Sequence, residues 1–239
     1  MAQTHIQDLA LQQNNRGAFC IATRRYGDAI SCLSLALQNT KQLLTATDKE
    51  ERRDESLALV LLDQLMCQDP GQIQMMTSAD SSTSSDPDFV YRHPISIPTS
   101  DFHDLLPLEC DCKIIISVSI IFNLALAHHL RAIEEVTSPS NQQELSRAMR
   151  LYELAYKLQA HGDTGAGIST LYIMSTLNNL GQIHKALNES DTACKCFENL
   201  LSAMMFTVHT GGTLPEQALD GFMRNMTQSV FHSPSAGAA

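Results

Sequence analysis

Three asparagines stand at matching places along the chain. Asn15, Asn123 and Asn179 each lie two residues before a small residue, in Asn15-Arg16-Gly17, Asn123-Leu124-Ala125 and Asn179-Leu180-Gly181. A carboxamide carries both N–H donors and a carbonyl acceptor, so one Asn can pair with the N–H and the C=O of a single extended residue. A row of such side chains would grip a peptide by its backbone, with neighbouring side chains supplying selectivity. The alternative is that the same asparagines tie helices to one another or face water.

Other reactive groupings are weaker. His128 and His184 occupy corresponding positions, but two imidazoles without a carboxylate or thiolate partner are a poor metal site, and a packed imidazole is the simpler reading. Cys110-Asp111-Cys112, with His93 or His103 upstream, falls short of the two-residue gap usual between paired zinc ligands. Cys194 and Cys196 sit two apart in a helical pattern and would face different ways. No P-loop, GxGxxG, GxSxG or HExxH occurs, and the expectation is a non-enzymatic chain with no cofactor and no metal. Asn188-Glu189-Ser190 and Asn225-Met226-Thr227 match glycosylation sequons, without a secretory signal to give them meaning.

The elements that would carry these residues read as helices. Leu171, Met174, Leu177, Leu180 and Ile183 recur at the helical period, and after a polar turn at 188–191 the pattern resumes through Ala193, Phe197, Leu200, Leu201 and Met204. Ser190 or Asp191 is the expected N-cap of that second helix. Gly181 and Ala193 lie 12 residues apart, as do Gly17 and Ala29 in an earlier copy whose turn is read at Tyr26-Gly27-Asp28. A third copy, stretched by about 11 residues, pairs Ala125 with Ala148 and places Tyr152 where Phe197 stands. Thr213-Leu214-Pro215-Glu216 has the form of a capping box, and the helix after it shows Leu219, Phe222, Met226 and Val230 on one side.

The Gly/Ala spacing, with an aromatic or Leu four residues after the Ala, resembles the skeleton of a tetratricopeptide repeat, distantly of the kinesin light chain type. The resemblance covers roughly residues 14–47 and 113–206. It implies an all-α solenoid of about three helix pairs in a single domain over 1–239. The repeats are expected at 14–47, 113–160 and 168–206, with a C-terminal capping helix at 213–230 and a disordered tail at 231–239. Arg16, where the family has an apolar residue, departs from the pattern. A long acidic insertion at 48–112 follows the first repeat, with a helix at 56–67, disorder over 70–89 and an extended stretch at 90–98. In such a fold the first helix of each pair lines a concave groove. The resemblance therefore implies a peptide-binding row of Asn15, Asn123 and Asn179, flanked by Asn178, Gln182, His129 and Lys185, with Asn14, Ala18, Phe122 and Leu126 nearby. Asn14 and Ala18 replace the cationic pattern that some members use to clamp a peptide's terminal carboxylate.

Composition bounds the partners. The net charge of −10 resides in residues 48–112, which hold 14 acidic and four basic side chains, and the remainder is neutral. No cationic surface gathers to displace phosphate counterions, so nucleic acid is not an expected partner. The apolar run Ile114–Ala127 is shorter than the roughly 20 residues a membrane-spanning helix needs, and a buried helix is expected. Seven cysteines, an odd number, and an N-terminal stretch without a signal peptide's charged and apolar regions point to a reducing compartment, cytoplasmic with the nucleus left open. The polar run at 77–88 has the composition of a solvated linker or a phosphorylation platform. The function expected is an adaptor or scaffold holding an extended peptide. The alternative is a structural or self-associating subunit that meets another chain through its apolar helix at 114–130; the oligomeric state is left open.

Overall fold

The computed structural model describes residues 2–45, 88–97, 109–136, 140–161, 170–212 and 214–231. Among these there are seven helices and no strand. They are α1 (Ala2–Ala22), α2 (Tyr26–Thr45), α3 (Glu109–Glu134), α4 (Asn141–His161), α5 (Thr170–Ala186), α6 (Ser190–His209) and α7 (Glu216–Phe231). The helix expected at 56–67, the stretch 70–87, the capping-box residue Thr213 and the tail 232–239 lie outside the described residues. The chain falls into two compact units. One is Met1–Ser78 with His93–Ile168, and the other is Ala79–Arg92 with Ser169–Ala239.

In the first unit α1 packs along α2 and α3 along α4, while α3 also meets α1 and α2. Close approach of α1 and α2 depends on Gly17, because a Cβ there would run into the Leu33 side chain. Ala125, Ala148, Tyr152 and Ala155 are wholly buried where α3 meets α4, and Phe122 meets the Tyr152 ring edge-on at 5.7 Å between centroids. Tyr26 donates to Glu134 Oε1 at 2.8 Å and so joins the start of α2 to the end of α3. In the second unit α6 packs against both α5 and α7. Phe197 of α6 fills the space over Gly181 of α5, where a Cβ would stand 2.6 Å from its ring.

Three helices end by the same device. Arg24 and Asn188 adopt the left-handed conformation, at φ 58° and 62°, and Gly211 does so at φ 75°. After α1, Arg24 N–H donates to Ile21 C=O and Arg25 N–H to Cys20 C=O. After α5, Asn188 pairs with Lys185 and Glu189 with His184, and after α6, Gly211 pairs with Val208 and Gly212 with Thr207. Each is a Schellman closure, satisfying two carbonyls that the helix end would leave open.

Several details differ from the sequence reading. The first turn lies at Thr23–Arg25, because the Schellman bonds form there, and Tyr26-Gly27-Asp28 is already the first turn of α2. Glu189, and neither Ser190 nor Asp191, occupies the N-cap of α6, with no side-chain cap bond. The first helix starts at Ala2, twelve residues before the repeat skeleton becomes recognisable, and α3 starts at Glu109, inside the stretch assigned to the insertion. Leu201 and Leu219 lie outside the core, at 45% and 36% exposure, while Leu200, Ala218 and Phe222 take the buried positions. The Ile114–Ala127 run is part of a longer apolar helix. Ile115–Glu134 would cross a membrane by length and composition, and 89% of its most apolar window is buried within the protein.

Replacing Gly181 by Ala should destabilise the chain by about 1–3 kcal/mol, the usual cost of forcing a core to accept an extra carbon. Gly27, in α2 with open space around it, provides the contrast, and Gly27→Ala should stabilise by about 0.4–1 kcal/mol. Urea unfolding followed by far-UV circular dichroism measures both.

Candidate functional site

The residues 88–97 form no helix and no strand ladder, yet Val90, Tyr91, Ile95 and Ile97 are buried, while Ser96 between the last two is exposed. An extended segment placed this way must find partners for its backbone polar groups, because burying an unpaired amide costs several kcal/mol on the order of 2–7. Asparagine side chains from four helices supply them.

In the first unit, Asn123 of α3 donates to Ile95 C=O at 2.8 Å and accepts from Ile95 N–H at 2.7 Å. Its second N–H goes to Asn14 Oδ1 at 2.9 Å, and Asn14 itself donates to Ile95 C=O at 3.0 Å. Asn15, next on α1, takes the residue two further on: it donates to Ile97 C=O at 2.7 Å and accepts from Ile97 N–H at 2.9 Å.

The second unit repeats the arrangement bond for bond. Asn225 of α7 donates to Phe89 C=O at 2.6 Å and accepts from Phe89 N–H at 3.0 Å. Its other N–H goes to Asn178 Oδ1 at 2.7 Å, and Asn178 donates to Phe89 C=O at 3.1 Å. Asn179, next on α5, donates to Tyr91 C=O at 3.0 Å and accepts from Tyr91 N–H at 2.9 Å. In each unit the arrangement is a pair of adjacent asparagines on one helix, a single asparagine on another, and two alternate residues of the segment between them.

All but one of the asparagine side chains are sealed from water, Asn15 being only half-buried. Asn14, Asn123, Asn178 and Asn179 are fully buried and Asn225 is 1% exposed. One helical turn before Asn123, Asn179 and Asn225 stand Ser119, Ser175 and Gly221, all buried and all small. At Gly221 the reason is direct, since a Cβ would enter the ring of Phe89. Phe222 meets the Phe89 ring edge-on at 5.7 Å and stacks with Tyr91 at 6.2 Å. Burial pushes the Tyr91 phenol up, its neighbour Tyr172 adds to that, and a bond with Ser175 offsets part of it.

The remaining expected site residues are placed as follows. Lys185 reaches Asp88 Oδ1 at 2.6 Å and Gln228 at 3.4 Å. Gln182 is buried at 5% exposure, and its Nε2 has no hydrogen-bond partner among the described residues. His129, 3% exposed, sets its ring edge-on against Tyr152 of α4 at 6.0 Å. Phe122 likewise packs on Tyr152. Asn225 escaped the sequence reading, where it stood only as a sequon. Its signal was a carboxamide on the apolar side of α7, three residues after Phe222 and beside Met226.

The two matching histidines serve the turns. His128 Nδ1 meets Glu144 Oε2 at 2.5 Å, and His184 Nδ1 meets Glu189 Oε2 at 2.6 Å, each from the end of one helix to the start of the next. Among the described residues no group of three or more His, Cys, Asp or Glu side chains could hold a metal ion. The side chains of Cys110 and Cys112, and all of His103, lie outside the described residues. Cys194 and Cys196 are both partly exposed.

Neither a family model, nor a curated protein, nor a solved structure matches this chain.

Two predictions follow from the geometry. Amide exchange at Phe89, Tyr91, Ile95 and Ile97 should be slow relative to Ser96, and Asn123→Ala should release Ile95. Loss of that partner leaves a buried N–H unpaired and should cost about 1–3 kcal/mol; exchange measured by NMR reads both. The second concerns Glu144. Burial alone would raise its carboxyl, but the hydrogen bond and charge of His128, with Arg131 and Arg147, outweigh it and hold the group below its ordinary value of 4.5. A depressed carboxyl contributes stability above the unfolded-state value and loses it as pH falls through the folded one. The melting temperature should therefore drop below about pH 4.5, and the drop should be smaller in Glu144→Gln, as thermal melts from pH 7 to pH 3 would register.

Proposed function

We propose that this chain is a non-enzymatic adaptor, built from tetratricopeptide-like helix pairs in a solenoid, that holds an extended peptide through a ladder of asparagines on the first helices. The acidic insertion would then serve as the source of a peptide held in cis. One observation carries this reading: Asn15, Asn123, Asn179 and Asn225 each bond both the N–H and the C=O of one residue, in two pairs of alternate positions, Phe89 with Tyr91 and Ile95 with Ile97. That is recognition of a main chain, which any extended peptide offers. A site that grips backbone needs no catalytic group and no cofactor. The partners proposed are accordingly proteins or peptides, met in the cytoplasm, and not nucleic acid or membrane.

The cis segment is covalently tethered and so competes at high effective concentration. The test therefore loosens it first. In the full-length chain, Ile95→Ser with Ile97→Ser removes the side chains that anchor the segment while leaving α1 and α3 intact. A fluorescent peptide with the sequence of residues 88–98 should bind this variant at least about tenfold more tightly than it binds the wild type, since burying each isoleucine contributes about 1.5–3 kcal/mol. Adding Asn15→Ala and Asn123→Ala should abolish the gain with helical content preserved. Binding that ignores the asparagines, or no binding to the loosened chain, overturns the reading.

A further inference from the structure

The two half-sites share a backbone grip but differ in what surrounds it. In the second unit, the residues gripped are aromatic, and the helices are shaped for aromatic rings. Gly221 leaves bare backbone under the Phe89 ring. Phe222, wholly buried, meets that ring edge-on and also stacks with Tyr91, so one side chain of α7 serves two rings that lie two residues apart. Tyr172 and Ser175 of α5 sit close to the Tyr91 phenol. Alternate residues of an extended chain project to the same side, which is why rings at positions one and three can share a single aromatic partner.

We propose that α5 and α7 form a reading site for an extended peptide carrying two aromatic residues separated by one, and that Phe89-Val90-Tyr91 is the intramolecular copy of that ligand. The inference rests on the backbone-grip reading above and adds a specificity to it. Asn225 and Asn179 fix the register, so that the first ring lies on Gly221 and the second between Phe222 and Tyr172. Substituting either ring leaves Phe222 without an edge or face partner, and such pairs contribute beyond their burial alone. The Lys185–Asp88 ion pair is roughly half exposed on both sides, so it guides register more than affinity.

The test uses the full-length chain carrying Phe89→Ser and Tyr91→Ser, which empties this half-site while leaving α5 and α7 unchanged. Three fluorescent peptides are compared by anisotropy: Asp-Phe-Val-Tyr-Arg, the same with both rings replaced by Leu, and the same with both replaced by Ser. The aromatic peptide should bind best, with replacement of both rings by Ser weakening it by about a hundredfold, and Gly221→Leu should abolish its advantage. Equal binding of the aromatic and leucine peptides overturns the specificity while leaving the backbone grip standing. Absence of binding here, with binding intact at the Ile95/Ile97-loosened chain, overturns this site alone; absence at both overturns the adaptor reading as well. Should the double variant lose helical content, amide exchange on the wild type decides. Excess aromatic peptide should speed exchange at Phe89 and Tyr91 and the serine peptide should not; exchange unmoved by either peptide overturns the proposal.

Discussion

The described part of the molecule depends on one constraint. An extended chain buried among helices carries an unpaired donor and acceptor at every residue, and helices have no backbone groups to spare for it. Side chains meet the need here, and a carboxamide, with two N–H donors and a carbonyl acceptor in one plane, does so in both directions at once. Asn123 and Asn225 show how fully that capacity is used. Both N–H bonds of each are committed, one to the segment and one to an asparagine on a neighbouring helix, and the carbonyl takes the segment's N–H. The bond between asparagines also holds helix to helix, so the segment and the helices on either side of it are mutually dependent. The two readings open from the sequence, a peptide grip and a tie between helices, are here the same set of atoms.

Everything near the ladder follows from the need to bring a backbone close to a helix. Ser119, Ser175 and Gly221 lie one turn before Asn123, Asn179 and Asn225, and at Gly221 a larger residue would stand where the Phe89 ring lies. On the opposite side of α1 and α5, Gly17 and Gly181 accept Leu33 and Phe197. A helix that is narrow on both faces has little room for sequence change. The Schellman closures at Arg24, Asn188 and Gly211 then fix where each following helix starts. At Asn188 and Arg24 a non-glycine residue takes the left-handed conformation, which is tolerable for Asn and costly for Arg, so the two satisfied carbonyls at the end of α1 must outweigh local strain.

Much of this was legible because it is periodic. The all-helical class followed from apolar spacing, and the Gly/Ala pairs marked where helices touch. The non-helical character of residues 90–97 was visible in β-type residues set between prolines, and Asn15, Asn123 and Asn179 stood out by their shared offset from a small residue. What the sequence did not disclose was long-range. Nothing local says that Asn179 bonds Tyr91, 88 positions away, rather than a residue of another protein. Asn225 lacked the offset that flagged the others. That His129 sets its ring against Tyr152 of α4 was equally out of reach, because no spacing rule gives the position of Tyr152. The turn at Thr23–Arg25 was displaced from Gly27 for a related reason: the closure is set by which carbonyls are free, and glycine is only the commonest residue to provide it.

The gap between the two halves of the segment fits the same logic. Ahead of Asn123 the chain has Phe122, not a second asparagine, so α3 offers one carboxamide where α1 and α5 offer two adjacent ones. The residue just before Ile95 in the segment is Pro94, which has no N–H to satisfy. His93, beside it, is exposed and can meet water. The segment thus meets carboxamides at Phe89, Tyr91, Ile95 and Ile97. Such agreement is expected of a sequence in which strap and scaffold specify one another, and any peptide entering from outside would meet the same pattern of demand.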